Sequence, residues 1–170
     1  MRKQNHVIYR EIQKPRQIWA WVLVMLIALL FWYIFIQQIL FGIPIGSKPA
    51  PDVILIIAWF LFGVIFPAVM IGFIKLITEV RKDGIYVLFM PFHFHYRNFL
   101  YKDIEDYESI DYDLSNFGGW GVRINLKGEK AYTMYGKQGI KLFLKNETVV
   151  IGTQKPNEII KAIDLLTRKG

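Results

Sequence analysis

Six basic residues in the second half of the chain are spaced so that they could bind an anionic surface. Arg123 and Lys127 share one face of a predicted strand, and Lys141 and Lys145 share one face of another. The full set is Arg123, Lys127, Lys130, Lys137, Lys141 and Lys145. If the apolar residues that alternate with them point inwards, these side chains point outwards together. The pattern predicts a patch for anionic lipid headgroups or a protein partner, and the alternative is a solvated sheet exterior.

Trp120 lies in a glycine-rich run, Gly118-Gly119-Trp120-Gly121. Glycine loops that hold phosphate open a helix, whose N-terminus meets the anion, whereas a predicted strand follows here. We therefore expect a tight loop or bulge. Trp120 either packs across the edge of the sheet or presents its ring to a partner.

The acidic residues between positions 103 and 113 do not form a calcium loop. The start of the pattern is present, but Asn116 stands where the loop needs glycine and Val122 where it needs glutamate. The segment is predicted to be a solvated face, with a surface for a basic partner as the alternative. His93 and His95 share a predicted strand face, but no third ligand is near them in the sequence. We predict no metal and no cofactor.

Catalysis has little support in the residue types. The chain has no cysteine, and none of its three serines lies in a nucleophile-elbow context. The two most apolar segments carry no acid or histidine, so they offer no proton relay. The sequence favours a protein that is not an enzyme.

The elements that would carry these side chains begin with two apolar blocks. Residues 18–36 are all apolar or aromatic, and residues 53–74 are interrupted only by glycine and proline. At 1.5 Å per residue the blocks span about 28 and 33 Å, which matches a bilayer core of about 30 Å. We predict a transmembrane hairpin over residues 17–77, with helices over about 17–41 and 53–77. Pro67 should loosen the second helix, and Ala68 and Gly72 would permit close packing, which we expect within the hairpin.

The flanking charges predict the orientation. Residues 1–16 form a basic arm with five lysines and arginines and one acid, whereas the connector between the helices carries only Lys48 and Asp52. The positive-inside rule then puts both termini in the cytoplasm, in a multi-pass plasma-membrane protein. Residues 78–170 hold 14 basic and 12 acidic residues, which is too balanced for nucleic-acid binding. The net charge of +7 therefore comes mostly from the arm.

Residues 83–170 have the texture of a small β domain. Short alternating segments are expected at 85–90, 92–97, 104–110, 122–127, 131–135, 140–144 and 148–151, joined by turns. These make seven strands on short connections, which favours an antiparallel sheet or barrel. A final helix starts near Pro156 and carries one apolar stripe, Ile159, Ile160, Ile163 and Leu166.

This layout resembles the bacterial-type PH-domain membrane proteins, in which a transmembrane hairpin precedes a cytoplasmic PH-like domain. The residues that carry the resemblance are turns and caps: Asp83-Gly84-Ile85, residues 118–123, residues 136–140 and residues 151–156. The resemblance implies about seven antiparallel strands with a C-terminal helix. The first hairpin, Met90-Pro91-Phe92, lacks the charges with which eukaryotic PH domains bind inositides.

Together these patterns predict a non-enzymatic integral membrane protein. Its hairpin would anchor a PH-like domain that binds a protein partner or an anionic lipid surface. The alternative is an accessory subunit of a membrane transporter or envelope enzyme, whose hairpin packs against that partner within the bilayer. The sequence does not fix the oligomeric state.

Overall fold

The computed structural model describes residues 6–113, 119–126 and 128–167. The chain divides into two compact units. One is the helical segment Arg16–Ile74, and the other joins Met1–Pro15 to Lys75–Gly170. The N-terminal residues and the C-terminal half therefore belong to the same unit, which we call the β unit.

The helical segment contains two helices that are long and apolar enough to cross a membrane. They are α1 (Ile18–Leu40) and α2 (Asp52–Gly72). Both include π-helical turns, over Ile36–Leu40 in α1 and Trp59–Ile65 in α2. The predicted second helix, 53–77, is too long at its C-terminal end, because residues from Lys75 onward form a strand.

Aromatic side chains form the contact between the two helices. Trp32 and Trp59 meet edge to face at 5.1 Å between ring centroids, and Phe35 stacks on Trp59 at 4.2 Å. Gly63 leaves the room for them, since a Cβ there would lie 3.1 Å from Trp59.

Pro67 leaves one backbone carbonyl of α2 without its helical donor, and Trp32 supplies a hydrogen bond to that carbonyl. Pro67 has no N–H to donate to the carbonyl four residues earlier, and that Gly63 carbonyl accepts a hydrogen bond of 3.2 Å from Trp32 Nε1. The close approach is therefore at Gly63. The predicted small pair does not lie at the contact, because Ala68 is exposed and nothing lies within 4 Å of a Cβ at Gly72.

The first sheet of the β unit has four antiparallel strands in the order β1-β2-β3-β4. Their bounds are β1 Val7–Gln13, β2 Lys75–Arg81, β3 Gly84–Met90 and β4 Arg97–Leu100. Residues 7–13 were predicted as part of a separate basic arm, and the structure makes them an edge strand. The prediction missed β1 because its alternation is inverted: Glu11 and Gln13 face inwards, whereas Ile8 and Ile12 are about half exposed.

The second sheet has five strands in the order β5-β8-β9-β7-β6. Their bounds are β5 Ile104–Asp111, β6 Gly121–Ile124, β7 Lys130–Thr133, β8 Gln138–Leu144 and β9 Thr148–Gly152. The expected number of seven strands over residues 83–170 is confirmed for the described residues, which form β3 to β9 there. Two further strands, β1 and β2, precede that range, and the expectation that all strands are antiparallel is wrong, because β7 pairs with β9 in parallel. The predicted strand at 92–97 is mostly the connection between β3 and β4.

The last helix, α3 (Pro156–Thr167), closes the core as its stripe predicts. Ile159 and Ile163 are fully buried, and α3 contacts β1, β2, β5 and β8, so it packs on strands of both sheets. Tyr107 on β5 donates a hydrogen bond to Asp164 of this helix. Arg168 and Lys169, which follow this helix in the sequence, lie outside the described residues.

Glu79, whose side chain is only 5% exposed, connects residues on the outer face of the first sheet. Glu79 accepts hydrogen bonds from Arg81 at 2.9 and 2.6 Å and from the Tyr96 hydroxyl at 3.0 Å. Arg10 of β1 adds a contact at 3.2 Å. Burial and the bond to Glu79 raise the pKa of Tyr96. A buried carboxylate is tolerated when it is paired and hydrogen-bonded in this way.

The polar inner face of β1 ties the two sheets to each other. Gln13 Nε2 donates a hydrogen bond of 2.7 Å to the carbonyl of Gly152, which lies on β9. Glu11 accepts hydrogen bonds from the Thr153 hydroxyl and from the Gln154 backbone N–H, the latter at 2.9 Å. The strand before the hairpin is thus part of the folded β unit.

The contacts of β1 with both sheets predict that the β unit folds without the helices but needs β1 for its stability. Replacing residues 14–75 by Asn-Gly joins Gln13 directly to its antiparallel partner Leu76 through a two-residue turn. We expect this chain to fold cooperatively in water. Deleting residues 1–13 from this shortened chain should lower its free energy of unfolding by at least about 2 kcal/mol, since several buried hydrogen bonds of roughly 1 kcal/mol each are lost. Urea unfolding measures the difference, and equal stabilities would contradict the role of β1.

Candidate functional site

A cleft of about 530 Å³ opens in the β unit where the edges of the two sheets come together. It is lined by β4 at the edge of the first sheet, by β6 and β7 of the second sheet, and by the turn between β8 and β9. The volume lies in the range of small-molecule pockets, about 300–1,000 Å³. The residues that carry its chemistry are His93, Arg97, Phe99, Lys130, Tyr132 and Lys145.

The floor of the cleft is aromatic. Phe99 and Tyr132 are 6% and 5% exposed, and their ring centroids lie 6.2 Å apart in an edge-to-face arrangement. Burial raises the pKa of Tyr132, so its phenol stays protonated at neutral pH. The floor therefore offers flat apolar surface without a negative charge.

His93 forms one wall of the cleft, and its ring centroid lies 6.1 Å from that of Tyr132. Burial lowers the pKa of His93, and the neighbouring Arg97 guanidinium lowers it further. Its Nδ1 is buried and has no hydrogen-bond partner in the part of the chain that the structure describes. A buried polar atom without a partner is unusual, and one that lines a cleft is available to a ligand.

The rim of the cleft carries more positive than negative charge. Lys130 is paired with Glu147, so these two charges largely cancel. Arg97 and Lys145 are exposed, and within the described part of the chain neither has an ion-pair partner. Asp103 supplies one further negative charge. The remaining balance favours a ligand with a negatively charged group.

The structure brings together only part of the predicted basic set. Lys130 and Lys145 line the cleft. Lys141 is paired with Glu129 at 2.7 Å, and it lies directly opposite Glu108 in the ladder between β5 and β8. The acidic segment and this basic strand are thus neighbours in one sheet.

The other predicted site residues lie apart from the cleft or are not described. Arg123 is exposed, and its Nε donates a long hydrogen bond of 3.4 Å to the carbonyl of the half-buried Trp120. Lys137 is exposed in the turn before β8. Lys127 lies outside the described residues.

The apolar residues of β6 do not point into the core as expected. Val122 is 38% exposed, Ile124 65% and Leu126 fully exposed. Within the described residues, β6 pairs with β7 alone and lies at the edge of the second sheet. Val122 and Ile124 instead line the cleft.

The residues missed by sequence reasoning are those that the edge strand β4 and the preceding turn contribute. His93 and Arg97 belong to a segment whose alternation predicted a strand, and only Arg97 lies in one. Across the described residues, no group of three or more histidines, aspartates and glutamates could hold a metal ion.

These features define a class of protein: two helices of membrane-spanning length and composition, joined to a β unit with two sheets and a ligand-sized cleft. The chain belongs to DUF6141, a family of unknown function, which matches residues 1–167. No curated protein and no solved structure matches the chain. The likeness to bacterial-type PH-domain proteins therefore stays a hypothesis.

The half-buried imidazole of His93 predicts a dependence of stability on pH. The pKa of His93 in the folded protein lies below the unfolded value of about 6.5, so the unfolded chain binds more protons as the pH falls below that value. Stability should therefore decrease from pH 7.5 to pH 5.5, and His93→Gln should reduce the decrease. The denaturant midpoints of the full chain and of the variant, determined in an uncharged detergent at both pH values, measure this decrease in stability.

The exposed His95 provides the matched control. His95→Gln should keep the pH dependence of the unaltered protein. Equal effects of the two substitutions would show that burial of the His93 ring does not control this titration.

Proposed function

We propose that this protein is a non-enzymatic integral membrane protein whose helical hairpin anchors a PH-like β unit at the cytoplasmic face. The β unit binds a negatively charged lipid headgroup in the cleft between its sheet edges. The observation that carries the proposal is the rim of the cleft, where Arg97 and Lys145 flank an aromatic floor and have no ion-pair partner among the described residues.

The exposed surface of the helices supports membrane insertion. Of the residues in the most apolar 18-residue stretch of each helix, only 17% are buried in α1 and 6% in α2. Contiguous apolar patches larger than a few hundred Å² are rare on soluble monomers, because water solvates them poorly. A bilayer supplies the apolar solvent that both helices need.

The pairing of β1 with β2 supports two membrane spans. β1 precedes α1 and β2 follows α2, and their ladder runs from Val7↔Arg81 to Gln13↔Leu76. Strands that share a sheet must lie on the same side of a membrane, so the chain crosses it an even number of times. The five basic residues of the segment before α1 favour the cytoplasmic side.

The architecture of the β unit supports the PH-like assignment in part. A four-stranded antiparallel meander is followed by a second sheet, and a C-terminal helix packs on strands of both. The additional strands and the parallel pair β7·β9 depart from the layout that the resemblance implies.

The alternative is an accessory subunit of a membrane transporter or envelope enzyme. It is favoured by α2, where Ala68 and Gly72 lie outside the contact with α1. In a bilayer such a small-residue pair lets a helix of another protein approach closely. In this case the hairpin, and not the cleft, would bind the partner.

The orientation can be tested directly because the chain has no cysteine. Ser47, in the connector, and Asn157, on α3, are both exposed. Single substitutions Ser47→Cys and Asn157→Cys should react with an impermeant thiol reagent from opposite sides of the membrane, with Asn157 on the cytoplasmic side. Labelling of both from the same side would contradict the proposed topology.

Headgroup binding can be tested with soluble ligands. Titration calorimetry of the full chain in uncharged detergent should detect the binding of glycerophosphoglycerol or of an inositol phosphate. Arg97→Glu and Lys145→Glu should each weaken the affinity about tenfold, which corresponds to roughly 1.5 kcal/mol for one charged hydrogen bond.

Lys137→Glu is the matched control, since it makes the same charge change at an exposed site that does not line the cleft. Equal losses in all three variants would mean that net charge, not the cleft, attracts the ligand. If no headgroup binds, the lipid proposal fails and the accessory-subunit alternative gains.

A further inference from the structure

The connection between β3 and β4 presents two large aromatic side chains to solvent. Phe92 is 69% exposed and Phe94 is 81% exposed. These residues were expected on the apolar face of a strand. They lie instead in residues 91–96, which we call the aromatic turn.

The aromatic turn is fixed by contacts on both sides of the exposed rings. The His93 N–H donates a hydrogen bond of 2.8 Å to the carbonyl of Phe89. At the other end, Tyr96 is held by its bond to Glu79 and by edge-to-face contact with Tyr86, at 6.3 Å between centroids. These contacts hold the aromatic turn at His93 and Tyr96, and the rings of Phe92 and Phe94 remain exposed between and beside them.

The strand register shows at which end of the sheet the aromatic turn lies. Met90, the last residue of β3, pairs with Lys75, the first residue of β2. Leu76 pairs in turn with Gln13, the last residue of β1. The aromatic turn therefore leaves the same end of the sheet from which the chain enters α1 and to which it returns from α2.

Three chain segments at this end of the first sheet carry basic but no acidic residues. Segments 12–17, 73–77 and 88–98 contain no aspartate or glutamate, and their basic residues are Lys14, Arg16, Lys75 and Arg97. Carboxylates of other segments lie near the aromatic turn: Glu79 accepts a hydrogen bond from Tyr96, and Asp103 and Glu147 line the cleft together with His93. Aromatic rings beside lysine and arginine form the composition that membrane interfaces favour.

We propose that the aromatic turn is a third membrane contact, in which Phe92 and Phe94 insert into the interfacial region of the bilayer. The occupant of this exposed surface is the lipid itself. The contact rests on the proposed membrane anchoring, and it adds a function for the β unit: it fixes the orientation of the cleft relative to the membrane surface. Burial of two phenylalanine side chains stabilises this orientation.

The test uses single cysteines in the full chain, reconstituted in vesicles of phosphatidylcholine and phosphatidylglycerol. Nitroxide labels are attached at Phe92→Cys and, separately, at Phe94→Cys. Collision rates are measured with oxygen, which concentrates in the membrane, and with a water-soluble nickel chelate. The labels should lose collisions with the chelate and gain collisions with oxygen, both relative to a label at Lys82→Cys in the exposed β2–β3 turn.

A label at Leu29→Cys separates this inference from the proposed anchoring, because Leu29 is 59% exposed on α1. If Leu29 reports lipid while the labels at 92 and 94 match Lys82, the third contact is overturned and the hairpin stands. If Leu29 also reports water, the membrane anchoring itself fails.

A second copy of the chain is the competing occupant. In that case the labels at 92 and 94 would show spin–spin broadening that disappears on dilution with unlabelled protein. That result would also overturn insertion into the lipid.

Discussion

The pairing of β1 with β2 is the interaction on which the rest of the structure depends. These two strands lie next to each other in the sheet, yet the whole helical segment separates them in the chain. Through Glu11 and Gln13, β1 also reaches the second sheet and the segment that leads into α3. One strand therefore joins the first sheet, the second sheet and the start of α1.

The helices and the final helix could be predicted because their patterns are long and regular. Nineteen consecutive apolar residues are long enough for a helix that could cross a membrane, and the spacing of Ile159 and Ile163 matches one face of a helix. Strand β1 was not predicted because its polar residues are buried and its isoleucines are exposed, which is the reverse of the usual alternation.

The candidate site could be predicted only in fragments. Lys130 and Lys145 were in the predicted set, but the cleft also needs Arg97 and Tyr132, which come from two different sheets. The alternation of residues along a strand shows on which face of the sheet each side chain lies. It does not show which strands are neighbours. For the same reason the pairing of Lys141 with Glu129 was not visible, and the predicted basic face is partly neutralised.

The position of β1 has a consequence for biogenesis. The first sheet cannot gain its edge strand until both helices have been synthesised, since roughly sixty residues must be looped out before Gln13 meets Leu76. In a membrane, a chain with only one helix inserted, or with its N-terminus translocated, would hold β1 and β2 in different compartments. If the hairpin spans a membrane as proposed, the first sheet could therefore be completed only after both helices are inserted and both strands lie on the same side.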